Sequence, residues 1–235
     1  HNNHLGGLLA DEMGLGKTVQ ALAFMEVVRR ERPEDGPCLV VCPASLVENW
    51  RREARRFTPA LKVLAHHGQS RESSPEYLKR FDLIITSYGT LARDVGSFAL
   101  VNWSTATCDE GQNIKNPRAQ ATKAVKQIIA KGRYILTGTP VENSLEDLRS
   151  LFGYLMPGYL PKPEERLASE DRKWHDDRLL QMAAPYILRR AKIAVAPELP
   201  PKIEQIIYCD FEENQKKFYD EMQEFRAACG EAHVK

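Results

Sequence analysis

The sequence predicts an α/β fold built on a mostly parallel sheet with helices on both faces. Two observations predict it. Short β-like runs alternate with helical patterns, which implies βαβ units. The apolar segment Leu8-Leu9-Ala10 also leads through a glycine-rich turn into a helix, the strand–loop–helix order of phosphate-binding α/β proteins. Ligands on such sheets bind at the carboxyl ends of the strands.

In chain order, strands are expected at Cys38–Cys42, Leu61–Ala65, Leu83–Thr86, Thr105–Cys108 and Tyr134–Thr137. Helices are expected at Lys17–Arg32, Ser45–Phe57, Pro75–Arg80 and Arg118–Ala130. Leu46, Trp50, Ala54 and Phe57 give the second helix one apolar stripe, which makes Trp50 a core residue. Arg51, Arg52, Arg55 and Arg56 lie opposite that stripe and read as a solvated face.

After Pro140 the pattern becomes helical, with helices expected at Glu146–Met156 and Arg178–Lys192. Lys202–Phe211 returns to a β-like run. Glu213–Cys229 reads as a helix with Phe218, Met222, Phe225 and Cys229 on one stripe. The expected division is a lobe over 1–144, a helical protrusion over 145–192 and a return segment over 193–235.

Composition excludes several classes. The 235 residues are 43% hydrophobic and 28% charged, enough for a real core. No stretch approaches the roughly 18 unbroken apolar residues of a membrane span. The start, His1-Asn2-Asn3-His4, has no signal-peptide pattern and reads as a cut end inside a longer protein. The net charge of +1 announces no nucleic-acid partner, so any DNA contact must be a local groove. The five cysteines form no C-x-x-C pair and read as buried free thiols. The histidines lack metal-ligand spacing, and His66-His67 reads as a loop.

The chemistry is concentrated in two places. Asp11-Glu12-Met13-Gly14-Leu15-Gly16-Lys17-Thr18-Val19 forms a phosphate loop. Its glycines let backbone N–H groups approach phosphates, and the helix N-terminus adds positive potential. Lys17 would reach the β- and γ-phosphates, and the Thr18 hydroxyl would serve Mg²⁺. Asp11 stands where the general P-loop has its first glycine. The second place is Asp109-Glu110, a carboxylate pair at a strand's carboxyl end. Asp109 would hold Mg²⁺, and Glu110 would orient and deprotonate the attacking water.

DEMGLGKTVQ (11–20), VVCPASLVENW (40–50), ITSYGTL (85–91), DEGQNIKN (109–116) and LTGTPVEN (136–143) occur in the order of motifs I, Ia, Ib, II and III of helicase superfamily two. Their wording resembles the Swi/Snf branch of DNA translocases. LEDLRSLFGYLMPGYL (145–160) and PYILRRAKIAVAPELPPK (185–202) are similar to that branch's own signatures. The resemblance covers nearly the whole chain. It implies a RecA-like ATPase fold with a helical protrusion, using ATP and Mg²⁺ to track along double-stranded DNA without separating the strands.

By position, the resemblance makes Met13, Gly14, Leu15, Gly16, Lys17, Thr18 and Val19 the nucleotide loop, and Thr18 and Asp109 the metal ligands. Glu110, Asp109, Lys17 and Gln112 become the catalytic set, with Gln112 near the γ-phosphate. Thr137, Gly138 and Thr139 would couple hydrolysis to DNA. Pro43, Ser45, Ser87, Tyr88, Lys115 and Asn116 fall in motifs that contact the DNA backbone. Ser45 also reads as a helix N-cap. Arg189, Arg190 and Lys192 are expected to have a structural or interlobe role, bracing the core, rather than to touch DNA.

The resemblance also sets limits. The family's adenine-contacting glutamine lies upstream of this sequence. Motifs IV to VI and the arginine finger belong to a second RecA-like lobe, with no counterpart after Phe211. The isolated chain is therefore expected to turn over slowly. Protein partners would act through flanking domains. The wording of 142–160 leans towards a prokaryotic member, which makes nucleosomes a poor candidate substrate. The expected compartment is the cytoplasm with the nucleoid in a prokaryote and the nucleus in a eukaryote. Two other readings compete: a catalytically silent lobe that docks DNA or a protein, and a P-loop kinase acting on a small molecule. Intact Lys17, Asp109 and Glu110 argue against the first, and motif III against the second.

Overall fold

The computed structural model describes residues 6–138, 145–161, 169–195, 205 and 215–223. Among these residues seven strands form one sheet in which every pairing is parallel. They are β1 (Gly7–Leu9), β2 (Cys38–Cys42), β3 (Val63–His66), β4 (Leu83–Ser87), β5 (Trp103–Cys108), β6 (Ala130–Leu136) and β7 (Ile187–Leu188). Their spatial order is β3-β4-β2-β5-β6-β1-β7. The first strand therefore sits inside the sheet, between two strands formed much later in the chain.

Strand periodicity divides the core between the two faces. Cys38, Val40 and Cys42 of β2 point to one face, where they meet Leu83 and Ile85 of β4. Leu22 and Met25 of α1 (Lys17–Glu31) cover that face with Val47, Trp50 and Ala54 of α2 (Val47–Phe57). Leu39 and Val41 point the other way. That face is covered by α3 (Pro75–Leu78), α4 (Tyr88–Phe98), α5 (Gln120–Lys126), α6 (Leu145–Leu155) and α7 (Ser169–Ala183). These helices bury Leu78, Leu91, Phe98, Val125, Leu151, Phe152 and Leu179. α8 (Lys192–Val195) follows β7. Residues 198–235 form a separate compact unit, in which 215–223 are helical. The β-like run expected at 202–211 lies outside the described residues.

Several expectations are corrected. Residues 88–98, where no element is expected, form α4, and the Ser87 hydroxyl caps it by accepting from Thr90 N (3.1 Å). The helix expected at 178–192 ends at Ala183, and β7 then pairs with β1. The segment after 145 is not a purely helical appendage: α6 packs into the core and β7 completes the sheet. The buried stripe of α2 runs through Val47, Trp50 and Ala54, and Phe57 is exposed. Ser45 is exposed in a 3-10 turn (Ala44–Leu46) and caps nothing. Cys38, Cys42 and Cys108 are buried free thiols, and burial pushes Cys42 and Cys108 up to about 12. Among the described residues no helix is long and apolar enough to cross a membrane.

His66 is not in a loop. It ends β3, is 1% exposed, and meets the Asp94 carboxylate at 2.8 Å, with Arg71 on the same carboxylate. Burial lowers its pKa below the ordinary 6.5, although Asp94 pulls the other way. The unfolded chain therefore takes up a proton that the folded chain resists. Stability should fall as pH drops below about 6.5, by at most about 1.4 kcal/mol per pH unit from this residue. Urea unfolding midpoints between pH 7.5 and 5.5 test this. His66→Gln should flatten the slope, and an unchanged slope would remove His66 from the account.

Candidate active site

The phosphate loop leaves β1 at the carboxyl edge of the sheet. Gly14 and Gly16 have positive φ (90° and 73°), a region open to glycine at no steric cost, and Gly16 is the N-cap of α1. The Lys17 ammonium donates to the carbonyls of Asp11 (2.8 Å) and Glu12 (3.4 Å). Those carbonyls hold it at the loop, from which it can turn to a phosphate.

Asp11, in the place of a glycine, is fully buried at the base of the loop. It accepts from Arg190 through the backbone N (3.0 Å), Nε (3.1 Å) and Nη2 (2.5 Å). Arg190 Nη2 also donates to Gln20 Oε1 (2.7 Å). Burial alone would raise the Asp11 carboxyl. The bonds and charge of Arg190, with Gln20, outweigh it and hold the carboxyl below its ordinary value. Glu12 N donates to Arg190 O (3.0 Å), and Lys192 N donates to Glu12 Oε2 (2.7 Å). Arg190 thus braces the core as expected, and its target is the loop itself.

Asp109 and Glu110 leave β5 at the same edge. Asp109 is nine-tenths buried and burial raises its pKa. Its Oδ2 accepts from the Trp50 indole (2.8 Å) and its Oδ1 from Glu110 N (2.9 Å). The Tyr88 hydroxyl donates to the Asp109 carbonyl (2.6 Å). Trp50 therefore fixes the carboxylate and Tyr88 the backbone of Asp109, from two elements. Glu110 has φ 52° and is the N-cap of a 3-10 turn, Gly111–Ile114. Positive φ in a non-glycine residue is strained backbone, of the kind that concentrates at functional sites. A methyl group on Gly111 would come within 2.5 Å of Ile135 Cγ2, so the turn lies against β6.

Gln112 connects motifs II and III. It donates to Glu110 Oε2 (2.9 Å) and accepts from Thr137 Oγ1 (3.4 Å). A methyl group on Gly138 would lie 2.7 Å from Met13 Cγ and 3.7 Å from Lys17 Nζ, so motif III abuts the phosphate loop. Thr139 lies outside the described residues. A cavity of about 440 Å³ lies beside β1 and β7, away from these carboxylates. The larger one, about 710 Å³, is lined by Met13, Gly14, Gly16, Lys17, Thr18, Val19, Asp109 and Glu110. Arg52 and Arg56 also line it and are exposed, as is Arg55, so the solvated arginine face of α2 borders this cleft.

The residues expected at DNA divide. Ser87 and Tyr88 are 7% exposed, and their hydroxyls are engaged inside the lobe, so they are not side-chain contacts. Pro43 is half-buried, and Ser45 and Asn116 are exposed at the same edge. Lys115 pairs with Asp147 (3.0 Å).

The description of the SNF2-related domain matches residues 1–233. The chain belongs to the SNF2-related family. Curated relatives of this SNF2-related domain include the helicase SWR1 of Eremothecium gossypii, 33% identical over 94% of the chain and 17% of the relative. The TATA-binding protein-associated factor mot1 of Aspergillus fumigatus is 36% identical over 93% of the chain and 13% of the relative. The ISWI chromatin-remodeling complex ATPase ISW2 of Saccharomyces cerevisiae is 32% identical over 95% and 21%. The chain thus spans about a fifth or less of these relatives. The Sulfolobus solfataricus SWI2/SNF2 ATPase core in complex with dsDNA superposes with a TM-score of 0.74 at 36% identity, over 93% of this chain and 47% of that one. The RecA-like α/β fold expected for an SNF2-related domain is the fold observed.

Trp50 and Asp11 are the site residues that sequence reasoning missed. Trp50 read as core and Asp11 as a departure from the P-loop pattern. A buried acid that replaces a loop glycine was a usable signal, because it demands a cation.

Proposed function

We propose that this chain is the ATP-hydrolysing lobe of a motor that translocates on double-stranded DNA and is completed by a second RecA-like lobe. The observation that carries the reading is the convergence of Lys17, Thr18, Asp109 and Glu110 on one cavity at the carboxyl edge of the sheet. Membership of the SNF2-related family and likeness to an archaeal core solved with dsDNA support the DNA-driven part.

The residues fit a magnesium ion. Asp109 is a buried carboxylate whose raised proton affinity a cation would relieve, and Thr18 adds a hydroxyl. Among the described residues no group of three or more His, Cys, Asp or Glu could hold a metal, so phosphates and water would complete the shell. The ion would neutralise charge on the phosphates. Glu110 orients and deprotonates the attacking water, while Lys17 leaves the loop carbonyls and binds the transferred phosphoryl group. Gln112 lies between the Glu110 carboxylate and Thr137, so a shift in motif III reaches the base through a single side chain.

The test is ATP turnover by the longer protein that contains this chain, with and without duplex DNA. Stimulation by duplex DNA is the expected result. Turnover indifferent to DNA would leave the hydrolytic site standing and sink the motor. The silent-lobe reading requires tight DNA binding that ignores ATP and survives Lys17→Ala.

A further inference from the structure

A third cavity, about 780 Å³, opens at the same edge of the sheet on the face opposite α1 and α2. It runs from loop 115–118 past the end of α5 to the first turns of α6. Four cations line it (Lys115, Arg118, Lys126 and Arg149) against two carboxylates, Glu146 and Asp147. Lys115 and Asp147 neutralise each other, which leaves Arg118, Lys126 and Arg149 against the single carboxylate of Glu146, an excess of positive charge. No hydrogen bond or ion pair joins these three side chains to any other among the described residues. Arg149 Nε is buried without a partner. The Lys126 ammonium lies against α6, 3.1 Å from where a methyl group on Gly153 would stand, and desolvation lowers its pKa. Two cations partly stripped of water and given no anion are a standing cost, and an incoming phosphate would remove it.

We propose that this groove seats the phosphate backbone of duplex DNA, with Arg118, Lys126 and Arg149 as its contacts. The proposal rests on the DNA-motor reading and adds contacts that the motif resemblance did not name. The position suits the task. Loop 115–118 continues from the 3-10 turn that carries Gln112, and Ser150 Oγ of α6 donates to Ile114 O (2.9 Å). Phosphates held here therefore pull on the turn that begins at Glu110.

The experiment measures binding of a fluorescent duplex to this chain across a salt series. Each phosphate contact contributes about 0.9 to the slope of log K against log salt. R118Q/K126Q/R149Q should lower that slope by about 2.7 and weaken binding tenfold or more at 0.1 M salt, with binding of an ATP analogue unchanged. Asp147→Asn, which frees Lys115, should strengthen binding and steepen the slope, so a poorly folded triple variant does not end the test. If DNA binds and neither variant changes the slope, the groove is not the seat. A preference for single-stranded RNA also overturns it. If the unaltered chain binds no duplex at any salt, the DNA reading itself falls.

Discussion

Glu110→Gln should reduce ATP turnover by about 10²- to 10⁴-fold while nucleotide still binds, the range expected on losing a general base. The substitution isolates charge from shape. Gln112 Nε2 donates to Glu110 Oε2 at 2.9 Å, and a glutamine carbonyl accepts the same bond. The backbone at φ 52° is set by the turn against β6, not by the carboxylate, so the strained geometry is kept. Only the proton acceptor is removed. The assay uses the longer protein with saturating duplex DNA, beside a binding measurement with an ATP analogue. A variant that keeps a tenth or more of the turnover would assign the water to another base. Lost binding would instead mean that the substitution had broken the phosphate loop.

Asp11→Ala should be the most damaging substitution for stability at this site. It orphans the Arg190 backbone N–H and removes the charged acceptor of Nε and Nη2. An unsatisfied buried donor costs about 1–3 kcal/mol, and bonds to a charged group are worth about 1.5–3 kcal/mol. The Arg190 side chain is 38% exposed, so water damps its share. The expected loss is about 3 kcal/mol, or about 6–12 °C in Tm for a domain of this size. Nucleotide binding should weaken too, because the carboxylate that ties the base of the phosphate loop to Arg190 is gone. Asp11→Asn keeps the volume, loses the charge and should fall between the two. A Tm within about 2 °C of the parent would mean that Arg190 is not the brace it looks to be.

Elements buried on both faces were readable from the sequence. β2 runs from Cys38 to Cys42, end for end as expected, because five consecutive buried residues leave an unbroken apolar run. β7 was not readable. Ile187 and Leu188 are too few to show a period, and they are a strand only because β1 offers them a ladder. At the helical stretch expected over 118–130 the boundary moved, and Ala130 begins β6, where its register with Trp103 decides. In the site, residue type and order placed Lys17, Asp109 and Glu110. The two contacts that hold them were silent: the Trp50 indole is 59 residues from Asp109, and Arg190 is 179 from Asp11. No local pattern encodes a partner at that distance. Ser87 and Tyr88 mislead for a related reason, since a hydroxyl in a DNA-contact motif looks the same whether it faces solvent or a partner inside the lobe.

The slot of β1 between β6 and β7 bears on how the chain emerges from a ribosome. β1 and the phosphate loop are made before their neighbours, Ala130–Leu136 and Ile187–Leu188. At a synthesis rate of about 5–20 residues per second, Asp11 waits about 10–40 s for Arg190. Until β6 is made β1 is a strand without a sheet, and until Arg190 arrives it keeps one open edge and Asp11 is an acid without its cation, the kind of exposed edge that recruits chaperones or neighbouring nascent chains. The grip on nucleotide comes in one step, when Ile187–Arg190 docks. Nascent chains stalled before residue 187 should fail to bind ATP even though every residue of the phosphate loop is already present.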